Sequence, residues 1–460
     1  MLHKSTIAPL TRIEGHLKVD VVLDGGRVKD ARAIGETYRG IEKILCGRRP
    51  LDAVRIVQRL CGVCHEAHGI AAARALAPIY RVEPPPNARY MFDAVLGLHL
   101  TCDHLIHFYQ MTLPDYVDFS LAKDAPFFLQ NGCFPDSIKS SQEVRHYLES
   151  YSRSLEMVAR GGRAMAVFTG KVPFGHSIFP GGFTTRPTAE EIFSARENTA
   201  LLLNFVKEVY LPDVKRLARS FPAYFSVGKG PGNLLAFGGL KALSKPVFAP
   251  GVYLNGQKEP FDPKNIFEDT KYSYYRDDRP FPKKEEGYSW VKAPRYGGRP
   301  MELTPLGRLW LTPGLKERLI AELKGLGQPE EAAFSVMGRH LARALEAEVL
   351  LKHALACLER IDPDAPNMVD VDPEADISGE NTAFSQAARG DLLHRIKVSQ
   401  GRVSQYNVIT PTTWNFSPRD ASGIPGPVEQ ALIGLKVSSD LREVGRVVRS
   451  FDPCMACSVH

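Results

Sequence analysis

The sequence has no apolar run approaching the ~20 residues needed to span a bilayer, and its opening Met1-Leu2-His3-Lys4 lacks the apolar core of a secretory signal. Taken alone, both absences point to the cytoplasm. Low-complexity tracts are missing, and with 44% of 460 residues hydrophobic the chain can bury an ample core. Basic residues are scattered and the net charge is only +6, so nucleic-acid binding has little support. A disulfide framework is absent too: of eight cysteines, Cys46, Cys102, Cys133 and Cys357 stand singly.

The other four cysteines form two pairs at opposite ends, Cys61-Gly62-Val63-Cys64 and Cys454-Met455-Ala456-Cys457, each followed by a histidine, His68 and His460. Paired thiolates are ligands for soft metals such as nickel, iron, copper(I) and zinc. A structural zinc is the plain reading, but its two halves usually lie ~15–20 residues apart, whereas here nearly the whole chain intervenes. A redox disulfide is the other bland reading. Ligands drawn from both ends of a large fold suit a buried catalytic centre better than a local staple, and Gly62 lets the backbone come close to a metal.

The flanking residues carry more. Arg12-Ile13-Glu14-Gly15-His16, Arg59-Leu60 before the first pair with His68 after it, and Asp452-Pro453 before the second pair stand in this order along the chain. Together they resemble the signature of the large, catalytic subunit of nickel-iron hydrogenases. The resemblance implies an α+β fold, mostly helical. A central bundle of long helices would be flanked by small β-sheets, with residues 1–460 forming one intergrown unit and the metal centre where the two ends meet. It implies reversible oxidation of H2 to protons and electrons, with Cys61, Cys64, Cys454 and Cys457 on nickel and Cys64 and Cys457 bridging to an iron that carries CO and CN.

Other site residues follow from the same resemblance. Glu14 becomes the first proton relay, a role suited to a carboxyl raised by desolvation; the bland reading is a surface carboxylate. Arg389, in Gln386-Ala387-Ala388-Arg389-Gly390, would lie above the metals, fixed by Asp103 and Asp452. Without the family it is a loop arginine paired with Asp391. The base that splits H2 is either a terminal thiolate such as Cys454 or Arg389. Thr412 would bond a cyanide, and His68 would hold a cysteine sulfur; His65 has no counterpart and reads as incidental. Glu42, in Arg39-Gly40-Ile41-Glu42, would bind Mg2+ with the Val408 carbonyl and His460, although Glu42 could simply pair with Arg39 or Lys43 on a helix. A chain ending at His460 looks like the processed form. Three departures stand out: Gln110-Met111-Thr112 beside the expected gas channel, and Ala388 and Thr410, which would loosen or polarise the pocket.

None of the remaining cysteines has iron-sulfur spacing, so the resemblance implies a small-subunit partner carrying those clusters. It also allows a cytochrome-bearing or quinone-linked membrane subunit. Because such enzymes can be exported on the partner's signal, the expected location is periplasmic or membrane-associated, with cytoplasmic second. Two rivals remain, a cytosolic cofactor-reducing hydrogenase and a zinc-stabilised, non-catalytic scaffold.

Along the chain, residues 16–34 predict a hairpin around Asp24-Gly25-Gly26, and residues 51–77 a helix broken at the first cysteine pair. Further helices are expected at 87–109, after Pro84-Pro85-Pro86, and at 139–160. Another covers 188–209, opened by a Thr188 to Glu191 capping box, and the last, 330–360, is a core bundle member. Residues 250–300 predict an irregular excursion in which Arg295 has no chemistry, and a strand pair is expected around Gln400-Gly401.

Overall fold

The computed structural model describes residues 2–130, 133–276 and 279–459. A three-stranded antiparallel sheet opens the chain: β1 (His3–Ile7), β2 (Leu17–Asp24) and β3 (Arg27–Gly35), in that order. The β2–β3 hairpin turns on Gly25 and Gly26, both at positive φ (55° and 74°), the two-residue geometry that matches strand twist. The predicted hairpin is therefore present. β1 pairs to its free edge, His3 opposite Leu23 through Ile7 opposite Val19.

The helical centre follows. Asp52–Ile56 and the short 3-10 turn Val57–Leu60 lead to the first cysteine pair, after which α1 (His65–Leu76) resumes. α2 (Pro86–Leu105), α3 (Ser141–Thr169), α4 (Ala189–Phe205) and α5 (Val336–Leu358) make the bundle, with α2 packed along α5 and α3 lying between α2 and α4. The predicted box caps α4, Thr188 Oγ1 accepting from Glu191 N at 3.2 Å and Glu191 Oε2 from Thr188 N at 2.8 Å. Beyond α2 the chain widens into a π-helical turn, Ile106–Thr112, in place of regular helix.

α5 is central, but its interior is not simply apolar. Arg339, Arg343 and Glu346 are all no more than 1% exposed. Arg339 pairs with Glu302 at 2.7 Å, and Glu346 with Arg308 at 2.7 Å and His104 at 2.8 Å. Buried charges persist when paired and hydrogen-bonded, so this helix joins the bundle through ion pairs as well as side-chain packing.

Residues 250–300 carry short strands, as expected, and Arg295 is buried there against Asp420 at 2.8 Å. Its role is structural. A second three-stranded sheet, β4 (Gly379–Ala387), β5 (Gly390–Ser399) and β6 (Arg402–Ile409), precedes α6 (Pro411–Asn415), and the chain closes through α7 (Arg442–Ser450) and α8 (Met455–Ser458). Among the described residues no helix is long and apolar enough to cross a membrane.

Candidate metal centre

The first cysteine pair sits where helix gives way to loop, Cys61 in extended backbone after the 3-10 turn and Cys64 at the start of α1. The second pair brackets the start of α8. Head and tail are stitched together by main chain: Glu14 bridges Cys454 in parallel, and Met455 N donates to Glu14 O at 2.8 Å. Gly15 makes this junction possible. Its φ is +80°, and a Cβ there would stand 2.8 Å from Ala456 N.

Four sulfurs converge as a result. Cys454 Sγ lies 2.8 Å from Cys457 Sγ and 3.1 Å from Cys61 Sγ, and Cys64 Sγ lies 2.9 Å from Cys457 Sγ. All are free thiols no more than 2% exposed, and the four ligand atoms lie within 4.8 Å of one another. Burial pushes Cys454, Cys457 and Cys64 up, Cys64 to about 11. Cys61 is the exception: burial acts against it, but hydrogen bonds from the other three thiols, Cys454 first, and the charge of Arg389 bring it well down. So many buried thiols ionise together only around a cation, which is the donor chemistry of a soft or borderline metal.

Arg389 occupies a two-residue turn between β4 and β5. Gly390 closes that turn at φ +138°, where a Cβ would fall 2.2 Å from Leu303 O. The guanidinium is 3.2 Å from Asp452 Oδ1 and 3.7 Å from Asp103 Oδ2. Asp391, its bland partner in sequence, instead meets Arg308 at 3.2 Å. Burial drives the Asp103 carboxyl well up. At Asp452 burial is outweighed, chiefly by Arg389, and the carboxyl is lowered. Asp452 is thus the closer and the ionised counter-ion. Neither pairing is an aligned hydrogen bond: Arg389 Nε and Nη1, both Asp452 oxygens and Asp103 Oδ2 are buried without a hydrogen-bond partner among the described residues. Buried polar atoms of this kind take a ligand or water as partner, so this wall beside the sulfurs fits a site that holds polar ligands.

Other predicted residues fall around the cluster. Glu14 Oε2 lies 3.1 Å from Cys454 Sγ and accepts from Ala456 N at 3.1 Å, and burial raises its carboxyl. His68 Nε2 lies 3.4 Å from Cys457 Sγ, with Nδ1 3.0 Å from His394 Nε2. Thr412 Oγ1 accepts from Cys454 N at 3.2 Å. Glu42 Oε1 accepts from Val408 N at 2.8 Å, which brings the expected Glu42 and Val408 together. His460 lies outside the described residues.

Three corrections concern residues read differently from sequence. His65 is not incidental: it is 6% exposed, and its Nδ1 sits 3.0 Å from Gly62 O, fastening the loop between the two cysteines. Thr410 spends its hydroxyl on capping α6, accepting from Thr413 N at 3.1 Å, so it shapes the helix start instead of loosening the pocket. Arg39, part of the Arg39-Gly40-Ile41-Glu42 element but given no role of its own, donates to Leu60 O, to Arg59 O at 3.1 Å and to Ala456 O at 2.7 Å, clamping the backbone beside both thiol pairs. The motif marks the arginine, but carbonyls so distant along the chain leave no sign in sequence that they are its targets.

The model of a family described as nickel-dependent hydrogenase matches residues 39–128 and 135–460, and a HoxL-like model matches residues 4–33. The chain is 34% identical to the periplasmic NiFeSe hydrogenase large subunit of Desulfomicrobium baculatum, covering 99% of this chain and 95% of that one. It is 30% identical to the hydrogenase-2 large chain of Escherichia coli K12, covering 100% and 97%. Among solved structures, the Ni-Fe-Se hydrogenase of Desulfovibrio vulgaris Hildenborough in its reduced state superposes with a TM-score of 0.93 at 36% identity over 100% of both chains.

Proposed function

Because the chain belongs to the nickel-dependent hydrogenase family and is an oxidoreductase acting on H2, we propose that its reaction centre is the four-sulfur cluster, with Cys61, Cys64, Cys454 and Cys457 as nickel ligands. Cys64 and Cys457 would be shared with an iron bearing CO and CN. When bound, these metals supply the polarisation that makes H2 acidic enough to be split. The single observation that supports this assignment is the convergence of four buried sulfurs from the two ends of the chain, one of them 3.1 Å from a carboxylate.

The chain's own residues divide the remaining work. Arg389 stays charged, since the charges around it, Asp452 first, outweigh its burial, and it presents buried unpartnered N–H groups beside the sulfurs. That suits orienting a polar ligand, while Thr412 steadies the Cys454 amide. Glu14 is half-buried, with its carboxylate against Cys454, and in this reading it accepts the proton from the Cys454 thiol, leaving the thiolate, and hands it outward. His68 holds the Cys457 sulfur. Glu42, the Val408 carbonyl and His460 would hold Mg2+, a hard cation suited to oxygen donors.

Electrons leave through a small subunit that carries iron-sulfur clusters, forming a heterodimer. The large-subunit names of the relatives support such a partner, as does the lack of cluster-spaced cysteines in this chain. The periplasmic name of one relative favours an enzyme outside the cytoplasmic membrane. The cofactor-reducing and zinc-scaffold readings find no support. Infrared spectroscopy with metal analysis tests the assignment: CO and CN bands with one nickel per large subunit, and iron in excess of nickel because of the partner's clusters, are expected, and bound zinc with no such bands would refute it.

A further inference from the structure

His353 and Cys357 are four residues apart on α5 and share a face, and that face packs against Asp93 of α2. The Asp93, His353 and Cys357 ligand atoms lie within 4.8 Å of one another, in residues 2%, 7% and 0% exposed. Along α2, Asp93 stands ten residues before Asp103, about 15 Å at 1.5 Å per residue, so this group is separate from the four-sulfur cluster.

The contacts converge on one atom. His353 Nε2 is 3.0 Å from Asp93 Oδ2 and 3.4 Å from Cys357 Sγ. A ring nitrogen carries either one hydrogen or one lone pair, directed along one line, so a proton satisfies one of these contacts well and the other poorly. A cation seated among the three satisfies all of them. Zinc bonds of ~2.0–2.3 Å to nitrogen, oxygen and sulfur place ligand atoms ~3–4 Å apart, and both His353 contacts lie in that range.

We propose that Asp93, His353 and Cys357 form a second metal site, for a borderline divalent cation of the zinc class, clamping α2 to α5. The donor set of one carboxylate, one imidazole and one thiol excludes magnesium and calcium, which take oxygen ligands. Outer contacts orient the carboxylate as in metal sites generally: Arg74 Nη2 donates to Asp93 Oδ1 at 3.1 Å and Ala242 N to Oδ2 at 2.8 Å. The Arg74 side chain is 27% exposed, against 3% for Asp93, and so is the outermost member of this group. Burial, with Asp93 beside it, pushes the Cys357 thiol up, so the metal-free site keeps its proton. On binding, the S–H bond breaks, a sulfur–metal bond forms and the proton passes to solvent, without change of oxidation state. Carboxylate and thiolate then neutralise the cation, and water completes four-coordination.

The test uses the purified holoenzyme, incubated with zinc sulfate and desalted. One zinc per large subunit is expected beside nickel and iron. It should fall at least tenfold in His353→Gln and Cys357→Ser, while nickel and iron stay unchanged. Zinc K-edge absorption of the wild-type enzyme should show one sulfur at ~2.3 Å with nitrogen and oxygen at ~2.0–2.2 Å. Less than a tenth of an equivalent of zinc in the wild type, zinc unchanged in both variants, or a sulfur-free zinc shell would each overturn the site. Should the variants fail to accumulate, the wild-type spectrum decides alone. None of these readings depends on the roles assigned at the four-sulfur cluster.

Discussion

Glu14 Oε2 stands 3.1 Å from Cys454 Sγ, and the same oxygen accepts from Ala456 N at 3.1 Å. These two residues lie 440 positions apart, yet they are paired through main chain as well, so the carboxylate is delivered to the sulfur by backbone geometry and not by a flexible loop. Burial raises the Glu14 carboxyl, which favours a group that alternately takes up and releases a proton.

Glu14→Gln keeps the shape and the Ala456 contact but removes the exchangeable carboxyl. Net H2 oxidation should fall by roughly 10²–10⁴-fold, the usual worth of a positioned acid–base group, while nickel and iron contents and the CO and CN infrared bands are retained. Dye-reduction assays beside metal analysis measure both; normal turnover in this variant would exclude the proton route through Glu14.

Arg389→Lys preserves charge but not the planar fork that spans Asp452 at 3.2 Å and Asp103 at 3.7 Å. An ammonium reaches one carboxylate and cannot present the donors that the guanidinium offers at Nε and Nη1. Activity should drop by roughly 10²-fold, comparable to losing one preorganised donor, with nickel retained and the CN bands shifted. Unshifted bands together with full activity would show that the guanidinium does not face the ligands.

Arg39→Lys tests the clamp on the two cysteine segments. One ammonium cannot reproduce donation to the Leu60, Arg59 and Ala456 carbonyls together. Because Arg39 is exposed, the loss is of the order of 1–2 kcal/mol, enough to loosen the junction without unfolding the chain. Nickel per chain should decline and its release to a chelator should quicken several-fold, followed by elemental analysis over time. Wild-type release rates would leave Arg39 with no part in holding the centre.

What could be read in the sequence was whatever is local or carried by a motif. The Gly25-Gly26 hairpin, the α4 capping box and the break in the helix at Cys61 each depend on residues within a turn of one another. The four converging cysteines and Glu14 were legible because their neighbours repeat a family signature. Long-range choices were not. Nothing near Arg389 signals that Asp452 is its counter-ion while Asp391 belongs to Arg308, and the buried ion pairs of α5 look like ordinary helix-surface charges until His104 of α2 and the segment carrying Glu302 and Arg308 close around them. β1 escaped notice for a similar reason: a five-residue edge strand owes its existence to β2 and has no strong pattern of its own.

Stability should carry a pH signature from Glu429, which is fully buried on the short helix Pro427–Leu432 behind β3. Its Oε1 accepts from Tyr288 Oη at 2.8 Å and Ala33 N at 3.1 Å, but burial outweighs both and pushes the carboxyl from 4.5 up to about 7. Between those values the folded chain holds a proton that the unfolded chain has released. The associated stability is therefore fully present below pH 4.5 and is lost as pH rises through about 7. The ceiling on this contribution is about 3 kcal/mol. Glu429→Gln mimics the neutral carboxyl at every pH, so wild-type Tm should fall relative to the variant between pH 5 and pH 8, read by calorimetry in matched buffers. Parallel Tm curves across that range would mean that Glu429 enters the folded state already ionised, and that the two hydrogen bonds, not burial, set its charge.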